Sequence, residues 1–486
     1  MIPLRVSTVA TVLGADVRPG PGAPADLGRT ITHVTVDSRD VGPGSLFVAL
    51  PGERVDGHAY VATALAQGAA AVLVAHPVDG AAGAQLVVAD PLVALGRLAR
   101  HVVDRGRAAG LRVVGITGSQ GKTSTKDLLG AVLASAGPTV APAGNLNNEL
   151  GVPLTVLRID AHTSSLVVEM GARGIGHIAY LCGIAPPDVA VVLNVGHAHV
   201  GEFGGQEAIA QAKGELVEAL VDSGVAVLND SDPRVRAMRA RTRARVLPFA
   251  VDEPASDGPD AVWADGLVGD GRGRYAFTLH ARSAGSASSA GVVLRGTGRH
   301  QVANATAAAA AALALGLDLD QVATALSAAE PASRWRMEVH DRADGVRVVN
   351  DSYNANPDSM AAAVATLAEL GGGRGRTWAV LGDMLELGAE APALHAELAA
   401  RVRAAGVDEV VALGEFAPLL VAGQTGRARV ATDVAQAAAW VRADVAPGDV
   451  VLVKASRGLA LNLVADEILR SPGTAPDEDH PSGSGA

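Results

Sequence analysis

From residue 111 onward, short apolar runs alternate with longer stretches of helical periodicity. Residues 112–117 read as a buried strand and 122–136 as the helix after it. Further short apolar strands fall at 166–169, 189–195 and 225–229, with a helix at 206–220. That alternation predicts an α/β unit with a mostly parallel sheet. A later series begins near Val346. Strands at 346–350, 377–381, 409–413 and 450–454 alternate with helices, the pattern of a doubly wound, Rossmann-like sheet. Ahead of both lies a smaller α/β segment, with apolar runs at 34–36 and 45–50, a helical stretch at 59–70 and a strand at 71–75. Residues 252–292 are rich in Gly, Ser, Ala and Asp and read as β-hairpin or loop excursions; 304–315 is an Ala-rich helix. Residues 471–486 lack apolar periodicity and are predicted to be a disordered tail. The expected division is therefore 1–105, 106–325, 326–470 and the tail 471–486, with no repeat of solenoid period.

Length agrees with this division, since 486 residues suggest about three domains. Hydrophobic residues are 49% and charged residues 19%, which excludes a wholly disordered chain. A net charge of −11 argues against binding nucleic acid or anionic membrane in bulk. No apolar run is long enough to span a bilayer, and the opening segment, broken by Arg5, Ser7 and Thr8, lacks a signal-peptide layout. A cytoplasmic protein without membrane insertion, and a monomer, is expected. Cys182 is the single cysteine, so no internal disulfide or Cys-rich metal site can form, and a buried small residue is expected there. Of 40 basic residues only four are lysine: Lys122, Lys126, Lys213 and Lys454. A chain that uses Arg almost everywhere keeps Lys where guanidinium cannot substitute. Lys126 is the exception by this reading, an accidental survivor on a helix surface.

The strongest chemical signal is the run 115–124, GITGSQGKTS. Strand, Gly-rich turn and helix N-terminus together aim backbone N–H groups at a phosphate. Lys122 would supply charge to the outer phosphates and Thr123 a hydroxyl to Mg²⁺. The loop is a variant, because Ile116 stands where the strict pattern has Gly. Glu169 ends a strand, where a metal-facing carboxylate is expected in such a sheet. The run 194–199, NVGHAH, lies just past the strand core 189–193; its two histidines lack companion ligands at metal spacing, so a polar loop beside a phosphate site is the better reading. Lys213 sits beside the apolar stripe of its helix, where a snorkelling role is the alternative. The polar run 350–357, NDSYNANP, suits a base or ribose contact, or equally a turn with a helix cap. Lys454 and Arg457 bring two cations to the carboxyl end of the final strand.

Together TGSQGKTS, GNLNNELGVPLTVL (144–157), EMGA (169–172), NVGHAHVGEF (194–203), AKGE (212–215), NDSYNANPDSM (350–360), LGDMLELG (381–388) and VKASRG (453–458) resemble the Mur ligase family, in the family's order. The resemblance runs from Asp37 to about Arg470. The NDSYNANP and LGDMLELG segments are similar to those of the member that adds D-alanyl-D-alanine to UDP-N-acetylmuramoyl-tripeptide. It implies an N-terminal UDP-substrate-binding domain, a central P-loop ATPase domain and a C-terminal Rossmann-like domain that brings the amine. ATP and Mg²⁺ are the implied cofactors, and ATP-driven amide ligation through an acyl phosphate is the implied reaction. Lys122, Lys213 and His199 would be catalytic. Thr117, Gly118, Ser119, Gln120, Gly121, Lys122, Thr123 and Ser124, with Asn304, Arg334, Asp351 and Asn354, would hold ATP. Thr123, Glu169, His199 and Lys213, the last as a carbamate, would face the metal. Asp37, Ser38, Arg39, Asn147, Asn148 and Lys454 would contact substrate. Gln301 departs from the family, where many members have Asn. A GTPase switch would need an Asn-Lys pair, which is absent, and a nicotinamide enzyme a GxGxxG after the first Rossmann strand, also absent.

Overall fold

A computed structural model describes residues 1–20, 25–52, 55–142, 144–197, 200–254, 258–284 and 286–470. Three α/β domains follow one another, each built on its own sheet. The expected tail, 471–486, lies outside the described residues.

The N-terminal sheet has five strands in the order Asp16–Arg18, Gln85–Val87, Ala71–Val74, Ser45–Val48, His33–Thr35. All neighbours are parallel except the edge strand Asp16–Arg18. Ser45–Val48 and Ala71–Val74 are buried on both faces, which is why they read as unbroken apolar runs rather than as alternation. Helix Pro91–Ala108, with Asp90 capping the Leu92 and Val93 N–H groups, carries the chain past residue 105 into the central domain.

The central sheet has nine strands. Its seven parallel members run from Thr139–Val140 to Ala261–Gly269, with Arg112–Thr117 seated between Ser165–Glu169 and Val189–Val192. Register puts Glu169 opposite Ile116 and Val192 opposite Thr117, so three strands end at one level and share a carboxyl edge. The Gly/Ser-rich stretch forms the antiparallel hairpin strands Arg274–Ser283 and Ser286–Thr297, which extend the sheet. From there Tyr275 donates to both Glu369 oxygens at 2.8 Å, tying the hairpin to the C-terminal domain. The Ala-rich helix His300–Ala314 fills the face of the sheet; its small side chains allow close approach to the phosphate-loop helix. Helix Leu319–Ala328 runs across residue 325.

The C-terminal sheet has six strands in the order Glu338–Asp341, Arg347–Asn350, Val450–Lys454, Thr377–Gly382, Glu409–Leu413, Arg427–Val430, antiparallel only at the first. Its helix Pro357–Gly371 opens on a reciprocal cap between Asn356 and Ser359, at the level of the central sheet's carboxyl edge.

Candidate active site

The turn after Arg112–Thr117 is shaped by one glycine. Gly121 has φ 81°, and a Cβ there would overlap the Asn304 side-chain oxygen, so other residues are excluded on two counts. Helix Lys122–Ala134 then begins, and the N–H groups of Gly121, Lys122 and Thr123 have no acceptor among the described residues. Ser119 and Gln120, by contrast, donate their N–H groups to Asn194 Oδ1 at 2.9 and 3.0 Å. The loop's anion-seeking donors are thus those at the helix start. Lys122 folds back to donate to the Gly118 carbonyl at 2.7 Å. Burial pushes its ammonium below the ordinary lysine value; Glu169 opposes that shift and Arg336 adds to it.

Glu169 is 1% exposed. One carboxylate oxygen accepts from the Thr123 hydroxyl at 2.9 Å, the other from the Asn147 amide at 2.8 Å. A hydroxyl, an ionisable carboxylate and an amide meeting at a phosphate loop are oxygen-ligand chemistry, which fits a hard cation such as Mg²⁺. Lys213, on helix Gln206–Glu218, is buried, lines the same cavity, and makes no hydrogen bond or ion pair with a described residue. Burial, and then the neighbouring Lys122, push its amine well below the ordinary value. Glu215 of the same helix accepts from the Gly176 and Ala179 N–H groups at 2.5 and 2.9 Å, which anchors that helix. His199 lies outside the described residues.

The C-terminal domain closes over this edge. Asn356 donates to the Ser119 carbonyl at 3.4 Å, and Asp358 accepts the His197 N–H at 3.0 Å. Asp351 and Asn354 line the cavity, as does Asn304, whose amide donates to Gln301 at 3.0 Å. Lys454 lines it too, but its ammonium is held by Asp351 at 2.6 Å and by the Asn354 carbonyl at 2.9 Å.

A single cavity of about 1160 Å³ unites these groups. Residues 119–124, Asn147, Asn148, Glu169, Lys213, Asn304, Asp351, Asn354 and Lys454 all border it, whereas Thr117 and Gly118 stand behind the loop. Arg334 is exposed and stacks on Trp335 at 5.5 Å; Arg336, two residues on, is the arginine that borders the cavity. Left-handed backbone at Trp335 and Met337 (φ 59° and 51°) makes that choice, a long-range outcome held by Glu338 and Asp351, which accept the Trp335 and Met337 N–H groups. Asp37, Ser38 and Arg39 form a short turn beside Val36, which borders the cavity. There the Arg39 guanidinium holds the Asp37 carboxyl down at about 2. Lys126 overturns the surface expectation. It is 2% exposed and donates to the Pro142 and Gly144 carbonyls at 2.8 and 3.3 Å, with Asp127 at 2.6 Å. All four lysines therefore serve the cavity or the segments around it.

Three family models match the chain: Mur ligase family, catalytic domain, over 30–103; Mur ligase middle domain over 116–312; and Mur ligase, glutamate ligase domain, over 335–457. The UDP-N-acetylmuramoyl-tripeptide--D-alanyl-D-alanine ligase of Mycobacterium tuberculosis is 45% identical over 512 aligned positions, covering 96% of this chain and 98% of that protein. A crystal structure of MurF from Acinetobacter baumannii superposes with a TM-score of 0.84 at 32% identity, covering 96% of this chain and 99% of that one. MurF ligase from Thermotoga maritima in complex with ADP gives 0.77 at 30% identity, over 90% and 97%.

Proposed function

The chain belongs to the Mur ligase family, and we infer that it is the ATP-dependent ligase joining D-alanyl-D-alanine to UDP-N-acetylmuramoyl-tripeptide, a step of peptidoglycan precursor synthesis. The observation that carries this reading is the convergence, in one cavity, of the phosphate-loop helix start, the Glu169–Thr123–Asn147 cluster and the carboxyl edge of a Rossmann-like sheet.

The chemistry follows from what a carboxylate lacks. It is a poor electrophile, so the γ-phosphoryl group of ATP passes to the tripeptide carboxylate, giving an acyl phosphate and ADP. The dipeptide amine then attacks the acyl carbon and phosphate leaves, so no protein nucleophile is needed. Lys122 exchanges the Gly118 carbonyl for a phosphate oxygen, and the free N–H groups at 121–123 receive the developing charge. Asn304, Arg336, Asp351 and Asn354 orient the nucleotide from the opposite wall. Thr123, Glu169 and a carbamylated Lys213 would hold Mg²⁺, with His199 a further candidate ligand. When bound, Mg²⁺ neutralises the charge on the phosphates. Asn147 and Asn148 face the muramoyl-peptide substrate, and Asp37, Ser38 and Arg39 its uridine nucleotide. Residues 1–105, 106–325 and 326–470 divide these tasks as UDP-substrate, ATP and amine domains. The reading places the enzyme in the cytoplasm, as a monomer; among the described residues no helix is long and apolar enough to cross a membrane.

The direct test is ADP release by the purified chain. It should require both UDP-muramoyl-tripeptide and D-alanyl-D-alanine. Equal turnover without peptide substrate, or with GTP alone, would replace the ligase by a switch NTPase.

A further inference from the structure

Strand Val450–Lys454 delivers two cations to its carboxyl end, and the fold commits only one of them. Lys454 is neutralised by Asp351, as described above. Arg457 is exposed, borders the cavity and has no carboxylate partner among the described residues. Its guanidinium lies 5.3 Å from the Tyr353 ring and 5.8 Å from that of Trp335, and donates to the Tyr353 hydroxyl at 3.4 Å. Stacking on two rings orients the fork without cancelling its charge.

Two neighbours complete the wall. Ser456 is 4% exposed and borders the cavity; its oxygen accepts the Leu385 N–H at 2.9 Å, while its own proton has no acceptor among the described residues. Leu385 is 46% exposed and also borders the cavity. Its Cδ1 is 3.4 Å from where a Cβ on Gly458 would sit, so it lies against the same turn.

We propose that Arg457 and Ser456 bind the terminal carboxylate of the acceptor dipeptide, and that Leu385 packs against its methyl groups. This rests on the ligase reading and deepens it. A dipeptide offers one carboxylate, one amine and two methyl groups. A fork-shaped cation, a hydroxyl donor and an apolar side chain on one turn match the carboxylate and methyl groups. Held by that end, the dipeptide leaves its amine free to face the phosphate-loop wall of the same cavity. The enzyme then selects acceptors by their free C-terminal carboxylate.

The test compares D-alanyl-D-alanine with D-alanyl-D-alaninamide as acceptors for the full chain, with Arg457→Met, Arg457→Lys and Ser456→Ala beside the unmodified protein. The unmodified enzyme should favour the free acid about tenfold to a hundredfold in kcat/KM, the discrimination expected of a charge-assisted pair. Arg457→Met should raise KM for the dipeptide by a similar factor, leave KM for ATP unchanged, and abolish the preference for acid over amide. Arg457→Lys should keep part of the preference, and Ser456→Ala should reduce it. Folding of each variant is checked by melting. An Arg457→Met enzyme that still prefers the acid, or whose KM rises for ATP instead, overturns the assignment and makes Arg457 a nucleotide contact. An unmodified enzyme that uses acid and amide equally also overturns it, while leaving the ligase reading intact. No turnover with either acceptor sinks the ligase reading itself.

Discussion

Lys126→Met removes an ammonium while keeping most of the aliphatic stem, so the loss is almost purely polar. Lys126 bridges the phosphate-loop helix to the segment 142–151 through two carbonyls, at 2.8 and 3.3 Å. Each charge-assisted bond is worth about 1.5–3 kcal/mol, and the Pro142 carbonyl is left without this donor. The Asp127 carboxylate, 2.6 Å from the ammonium and with only 14% of its side chain exposed, loses its cation as well, which places the cost at the upper end for such bonds. A total of about 3–5 kcal/mol follows, or a fall of roughly 10 °C in the melting temperature of a unit of this size. The effect should reach the site, because the same segment carries Asn147, whose amide holds Glu169 at 2.8 Å. Loosening that bond by about 1.4 kcal/mol corresponds to roughly tenfold in kcat/KM. Calorimetry and the ADP-release assay read the two effects separately. Lys126→Arg should recover part of the stability, since it keeps the charge but must fit a larger head into a closed site. A Lys126→Met protein melting within about 2 °C of the parent, with unaltered kinetics, would refute the bridge and return Lys126 to an accident of composition.

Three buried groups, Lys122, Lys213 and Cys182, carry the remaining outcomes. Lys122→Ala should cost several orders of magnitude in kcat while the chain stays folded, checked by melting beside single-turnover kinetics. Lys213 has a depressed pKa, so its amine is neutral, and reactive toward CO₂, at lower pH than an ordinary lysine. Activity should therefore fall as pH drops and the amine is protonated, and bicarbonate should restore it at fixed pH. Lys213→Arg should be nearly as damaging as Lys213→Ala, with acetate or formate partly rescuing the latter; full activity in Lys213→Arg would defeat the carbamate. The unmodified amine bears on stability with the same sign: the unfolded chain binds the extra proton between the depressed and the ordinary pKa, so stability rises with pH across that window. Burial, and then Glu215, push the Cys182 thiol up to about 12, so it should resist thiol reagents until the protein unfolds; rapid labelling of the native chain would contradict that burial.

What could be read from sequence was local or periodic. Arg112–Thr117, the glycine turn and helix Lys122–Ala134 form a continuous stretch whose chemistry depends on neighbours along the chain. Two-sided burial wrote Val189–Val192 and Val450–Lys454 as unbroken apolar runs, and Glu169 at a strand end was legible for the same reason. The edge strand Arg427–Val430 carries no such signature, because its alternating arginines reach Asp444, at 3.0 and 3.1 Å, and leave no apolar run. The tertiary structure decided which polar groups remain available. Lys454 and Arg457 share one turn, yet Asp351, about a hundred residues earlier, neutralises the first and leaves the second facing the cavity. Arg336 rather than Arg334 enters the site because contacts to Glu338 and Asp351 stabilise a left-handed turn that no propensity favours. Lys126 is buried because residues 142 and 144 come back over its helix. Periodicity reports which face of an element is covered, whereas the fate of a single charge depends on partners distant in sequence, and only folding brings those together.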